Sequence, residues 1–220
     1  MIDLQLDTPA DCAKKLLNKE VDLGLVPVAI IPLLTEAHII SNKCIGADGP
    51  VETVCLYSDV PMDKIEKVLL DNQSRTSVKL VQLLAEKLWN INPEWEVGTV
   101  DFMDRIGGTT AGVVIGDRTF GLTGRFPHVF DLSEEWKKLT GLPFVFACWV
   151  SNRPLSSEFI QQFENALSFG LANKRAALEA WSADPSEMKF RYLNDVISYE
   201  LDHKKQEAMK LFLAWLSKSP

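Results

Sequence analysis

The sequence predicts an α/β fold, and three observations carry that expectation. Apolar runs of strand length recur along the 220 residues, helix-start signals fall between them, and Gly- and Pro-rich turns separate the two. Strands spaced by helices imply a largely parallel sheet with both faces covered.

The elements follow in order. Residues 2–6 (IDLQL) alternate like a strand. Thr8 and Pro9 then read as N-cap and first helical position, with Asp11 in the first turn, of a helix running to about Asn18. Residues 21–26 (VDLGLV) form a strand ended by Pro27. Ile39-Ile40 and residues 51–57 (VETVCLY) supply two more, separated by the turn-rich stretch 46–50 (GADGP). Val68, Leu69 and Leu70 lead into a helix whose Val81, Leu84 and Leu88 share one face. Residues 111–115 and 144–150 are apolar strands of the buried type. From Ser156 onward the chain reads as helical, interrupted at Pro185. It ends in an amphipathic stretch with Ala208, Leu211, Phe212 and Trp215.

Composition narrows the function classes. With 46% hydrophobic and 24% charged residues, the chain is ordinary for a globular protein of one large domain or two small lobes. A formal charge of -7 and no basic stripe argue against a nucleic-acid partner. No apolar run approaches a membrane span, so no membrane partner is expected. Cys12, Cys44, Cys55 and Cys148 are scattered and no histidines cluster, so no metal site is expected. The thiols read as small core residues of a reducing compartment. With no export signal ahead of Ile2, the expected location is the cytoplasm.

The polar stretch Ser74, Arg75, Thr76, Ser77 opens the helix after residues 67–70. One hydroxyl suffices to cap a helix. A helix start after a strand end also offers unpaired N–H groups and partial positive charge to an anion, and Arg75 adds bidentate donors. The stretch is therefore either a plain cap or an anion site, and the sequence weighs the two evenly. Asp117, after an apolar strand, is a cleft residue or an exposed loop acid. Thr53 is a ligand hydroxyl or an ordinary strand threonine. Residues 107–110 (GGTT) lack the P-loop lysine and precede a strand, so they read as a turn. His38, His128 and His203 are isolated and read as surface residues. Trp136 and Trp149 read as core, with a pocket wall as the alternative for Trp136.

Taken together, these segments resemble a known family. ADGPVETVCLYS, LLDNQSRTSVKLVQLL, VVIGD and DLSEEWKKLTGLPFVFACW, with LLNKEVDLGLVPVAIIP upstream, stand in the order and spacing of the chorismate dehydratases of the futalosine route to menaquinone. The resemblance runs from about Thr8 to the C-terminal helices. Thr53 stands where that family usually has serine, which keeps the hydroxyl. Family members also begin with a strand and a loop carrying an aromatic-Leu-Asn motif, and this chain begins after it. Tyr192-Leu193-Asn194 repeats those letters in a helical context and is read as coincidence.

The resemblance implies a two-lobed α/β fold of the type II periplasmic-binding-protein kind, with a ligand cleft between lobes. Residues 1–57 and 126–220 are expected to form lobe one and residues 58–125 lobe two, with crossovers near Pro61 and Pro127. It implies a hydro-lyase that takes water from chorismate, its small-molecule substrate, to give 3-[(1-carboxyvinyl)oxy]benzoate, with no redox cofactor or metal. Ser74, Arg75, Thr76 and Ser77 are expected at a substrate carboxylate, with Thr53 and Asp117 as cleft contacts. The catalytic acid and base have no assignment here; in the family the asparagine of the absent loop lies in the pocket. The rival class is a receptor for a small carboxylate in a transport system, which would bind without turnover.

The fold carries a further expectation. Residues 2–6 correspond to its second strand and residues 21–26 to its third, and the family's first strand pairs between them. Without it, both would present unpaired backbone to a gap. Either upstream residues, direct pairing of the two strands or a neighbour's strand is expected to close it. The chain as written is expected to have little dehydratase activity.

Overall fold

The structure, a computed structural model, describes residues 2–71, 73–183 and 185–218. Local chemistry sets its first elements. Helix α1 (Pro9–Leu17) starts where Thr8 Oγ1 accepts a hydrogen bond from the Asp11 amide at 3.2 Å, and it buries Ala13 and Leu16. Strand β1 (Leu23–Pro27) and a 3₁₀ turn (Val28–Leu33) lead to the long β2 (His38–Ala47), of which only Ile39-Ile40 was legible as strand.

Strand β3 (Val54–Ser58) is buried throughout. Val54 and Leu56 face the main core, while Cys55 and Tyr57 join a second cluster with Phe102 and Ile106 on the opposite side. Burial on both faces is why this stretch reads as a continuous apolar run. Strand β4 (Lys67–Leu70) enters α2 (Arg75–Leu84), and β5 (Glu94–Val97) and β6 (Thr110–Ile115) follow. Residues 107–110 form the expected turn, with Gly107 bridging to Thr110 and Gly108 at φ +57°. Strand β7 (His128–Asp131) is followed by α3 (Leu132–Thr140), capped by Asp131.

The last third of the chain holds β8 (Phe144–Ser151), α4 (Ser157–Ala172), α5 (Lys174–Trp181) and α6 (Glu187–Arg191). A π-helical turn (Tyr192–Val196), β9 (Ser198–Glu200) and α7 (His203–Leu216) complete it. The short β9 adds a second break, after Pro185, in a region that the sequence presents as helical. No helix among the described residues is long and apolar enough to cross a membrane.

Two sheets result. One has the order β1-β8-β2-β9, the other β5-β4-β6-β3-β7. Three expectations need correction. The sheets are not largely parallel: only β4 runs parallel to its neighbours β5 and β6, and the other pairs are antiparallel. Late strands β7 and β8 return against early ones, a long-range pairing that local patterns do not encode. Residues 2–6 form no strand and lie exposed. The crossovers are also displaced. Cys55 pairs with Val114, and β7 flanks the same strand, so β3 and β7 belong to the second sheet. The chain changes sheet between β2 and β3, and again between β7 and β8, rather than at Pro61 and Pro127.

The anchor of the core is Trp136, fully buried on α3, with ring centroids 5.2 Å from Phe144, 6.0 Å from Phe212 and 5.3 Å from Trp215. Its indole N–H donates to the Pro143 carbonyl at 3.1 Å. Trp136 is core and lines neither of the two cavities beside the α2 start and Asp117.

Candidate functional site

The start of α2 and the sheet-changing segment before β3 open onto one cavity of about 930 Å³, whose lining includes Thr53, Ser74, Ser77 and Tyr192. The α2 start is fixed by Asp71, fully buried between strand and helix. One Asp71 oxygen accepts from the Gln73 amide at 3.0 Å, and the other accepts from the Ile115 amide at 3.2 Å and from the Arg118 guanidinium. Such a side-chain turn on the backbone two residues on is what a strand-to-helix corner needs. Sequence reading missed Asp71, although an aspartate directly after a strand and before a capping serine is the signal for it.

The four polar residues at the helix start divide by role. Ser74 is the N-cap: its Oγ accepts from the Ser77 amide at 3.2 Å and lies 2.9 Å from the Ser77 Oγ. Both serines are buried and line the cavity. Thr76 is turned away and used structurally. Its hydroxyl donates to the Phe146 carbonyl at 3.1 Å and accepts from the Ala29 amide at 3.3 Å, tying the helix start to the other sheet. Arg75 is exposed and does not line the cavity. The helix end thus presents hydroxyls and a positive dipole end to the cavity, without a guanidinium.

Thr53 sits in the sheet-changing segment, 2% exposed. Its carbonyl accepts from the Gly116 amide at 2.8 Å, and its Oγ1 lies 2.6 Å from the phenol of Tyr192. The preceding Glu52 adopts φ +64°, a conformation that L-residues rarely hold without external support. Asp131 supplies that support by accepting from the Val51 amide at 2.8 Å and the Glu52 amide at 2.6 Å, while also capping α3. The Glu52 carboxylate in turn pairs with Arg191.

Asp117 is not brought to this site. It lies at the start of a 3₁₀ turn (Gly116–Leu122) and lines a neighbouring pocket of about 480 Å³ with Phe120 and Lys174. Tyr192 lines both spaces. The remaining walls of the larger cavity combine apolar side chains (Phe146, Trp149, Phe159, Phe163), residues 2–7 and β1, and the charged Glu20, Asp22 and Arg153. Trp149, expected in the core, is a cavity wall packed edge-on against Phe163 at 4.9 Å. At the rim Arg153 holds Asp22 in a two-pronged ion pair at 2.8 and 2.9 Å, which keeps the Asp22 carboxyl below the usual range. This arrangement can bind an anionic oxygen at a helix start and pack a small ring against the apolar side chains of the wall.

Comparison with known proteins bears on the family and the fold. A family profile described as menaquinone biosynthesis matches residues 1–218. The chorismate dehydratase of Thermus thermophilus is 28% identical over 194 residues, spanning 78% of this chain and 70% of that protein. Among solved structures, protein AF1704 of Archaeoglobus fulgidus superposes with a TM-score of 0.72 at 16% identity, covering 97% of this chain and 84% of that one. The periplasmic aliphatic sulphonate binding protein SsuA of Escherichia coli gives 0.60 at 13% identity, covering 97% and 75%. At such identities the structural likenesses speak to fold alone. They establish the two-lobed binding-protein class of α/β fold.

Proposed function

The chain belongs to the menaquinone biosynthesis family, and from that premise we propose that it is a carbon–oxygen lyase that dehydrates chorismate to 3-[(1-carboxyvinyl)oxy]benzoate. The observation that carries the reading is the Ser74–Ser77 helix start opening into a cavity whose wall is in part apolar. A helix start carries roughly half a positive charge and unpaired N–H groups, so a substrate carboxylate is stabilised there with no free cation in contact. Low-dielectric walls strengthen that attraction. Loss of water from a cyclohexadiene gives an aromatic ring, which drives the step downhill without a redox partner. The protein's tasks are to fix the carboxylates, hold the ring and direct proton movement at the ether-bearing carbon and the departing hydroxyl.

The chorismate dehydratase relative supports this substrate over the receptor alternative, and the likeness to a sulphonate-binding protein extends only to the fold. Placement in the cytoplasm follows from the same reading, since a biosynthetic enzyme works where its substrate is made. The test is incubation of the protein with chorismate, followed by mass spectrometry. The expected result is slow formation of a product lighter by one water, carrying an aromatic absorbance, in keeping with the low activity expected of the chain as written. Tight binding of chorismate with no change in its mass would favour a receptor instead.

A further inference from the structure

The cavity holds two hydroxyl pairs, and a hydrogen count separates them from ordinary structural contacts. Ser74 and Ser77 carry two O–H hydrogens and share one hydroxyl–hydroxyl bond of 2.9 Å. Thr53 and Tyr192 likewise carry two and share one bond of 2.6 Å. Whichever partner donates, one hydrogen in each pair has no acceptor among the described residues. Both pairs line the same cavity, and Thr53 is almost wholly buried. A buried hydroxyl hydrogen without an acceptor is costly unless something enters to take it.

We infer that Tyr192, backed by Thr53, forms a second oxygen-binding subsite, which receives the other carboxylate of a small dicarboxylate whose first carboxylate lies at Ser74 and Ser77. The inference rests on the cavity being a dicarboxylate site. Phenol is a stronger donor than an aliphatic hydroxyl, and a carboxylate is a stronger acceptor than either. The favourable chain therefore runs from Thr53 Oγ1–H to Tyr192 Oη, and from Tyr192 Oη–H to the ligand. Burial pushes the Tyr192 phenol up from its ordinary range, so it keeps its hydrogen at neutral pH. The ring is held in place from two sides. Phe120 meets it edge-on at 5.8 Å, and the neighbouring Arg191 is tied to Glu52 beside Thr53. Tyr192 also opens a π-helical turn, an irregularity that recurs at functional positions and aims a side chain off the helical path. A residue 139 positions from Thr53 thereby completes the donor set of the sheet-changing segment.

Calorimetric titration with isophthalate, which has two carboxylates on one ring, and with benzoate, which has one, tests the assignment. Tyr192→Phe keeps the ring and removes the donor. It is expected to weaken isophthalate at least fivefold, the loss of a hydrogen bond to a charged group. Benzoate, seated at Ser74 and Ser77, is expected to move less than twofold. Thr53→Val removes only the supporting bond and is expected to cost isophthalate about threefold, again sparing benzoate. It provides a second reading should the phenylalanine variant fold poorly. A smaller effect of Tyr192→Phe on isophthalate, equal losses for both ligands, or no isophthalate binding by the unaltered protein would each overturn the inference. Chorismate turnover by the unaltered protein is measured separately. Tyr192-dependent isophthalate binding without turnover would leave this subsite standing and remove the dehydratase reading.

Discussion

The cavity has two unlike walls. On one side, the α2 start and the segment before β3 place almost every polar group against a partner: Asp71 with Arg118 and two amides, Thr76 with Phe146 and Ala29, Asp131 with Val51 and Glu52. On the other side, residues 2–7 form no regular element and leave Ile2, Leu4 and Leu6 at 65%, 74% and 78% exposure. Beside them β1 lies at the edge of its sheet, paired to β8 alone. Of the three ways in which the gap beside β1 was expected to close, direct pairing of residues 2–6 with β1 does not occur. Among the described residues, Lys15 alone hydrogen-bonds that segment to the rest of the chain, reaching Asp7 and Gln5 at 2.8 Å each. The difference teaches where specificity resides. A wall whose backbone is already satisfied can hold hydroxyls in fixed places for a ligand, whereas a wall with an open strand edge supplies shape and offers its backbone to another strand.

The sharpest way to break the comparison is to remove the support of the ordered wall. Trp136→Ala empties the aromatic cluster beneath α3 and is expected to cost about 3–5 kcal/mol of stability, read by urea unfolding. A loss below about 1 kcal/mol would mean that the cluster does not anchor this side.

Next come two neighbours on α2 with opposite expected effects. Thr76→Val leaves the Phe146 carbonyl and Ala29 amide without their side-chain partner, at a cost of about 1–3 kcal/mol in stability. Dicarboxylate affinity should change little. Ser77→Ala is expected to reverse the pattern, weakening dicarboxylate binding by about 1.5–3 kcal/mol with a much smaller loss of stability. Similar profiles for the two variants would erase the distinction between structural and ligand-facing hydroxyls.

The open wall predicts weak responses. Leu4→Ser is expected to change stability by no more than about 0.5 kcal/mol, since the side chain is already in water. Amides of residues 3–7 should exchange with solvent long before those of β8, as followed by mass spectrometry. Slow exchange there in the isolated chain would show that the segment pairs after all.

The thiols give the finest contrast. Burial pushes Cys44 and Cys148 up to about 12, while Cys12, in contact with the open wall, is raised less and is only partly buried. Iodoacetamide at pH 8 should label Cys12 first and leave the other two until unfolding. The same shifts set a sign for pH dependence. The folded thiols keep their protons above the ordinary thiol value, so the unfolded state alone ionises there. Stability is therefore full below that value and falls as pH rises from it towards about 12. Chemical unfolding at pH 8 and pH 10 reads this directly, and an increase would contradict the burial of these thiols.

Local chemistry accounts for what was legible in the sequence. The Thr8-Pro9 cap, the Ser74 cap and the buried runs at β3, β6 and β8 are encoded within a few residues of one another. The residues proposed here to bind the ligand were half legible. Thr53, Ser74 and Ser77 were recognisable as hydroxyls at strand and helix ends. Nothing in a polar string says that Thr76 turns toward Phe146, 70 residues away. The sheet membership of β3 and the approach of Tyr192 to Thr53 depend on pairings across most of the chain. Tyr192-Leu193-Asn194 showed the same limit: its letters carried no placement, yet the tyrosine enters the cavity while Asn194 bonds the adjacent Asp195 at its exposed surface.

The central claim is that the α2 start is a carboxylate site, and the most direct test is a crystal structure of the protein with isophthalate. One carboxylate is expected within about 3 Å of the Ser74 and Ser77 hydroxyls, at the positive end of the helix. A ligand seated instead in the neighbouring pocket beside Asp117 and Lys174, with no oxygen in reach of Ser77, would contradict it.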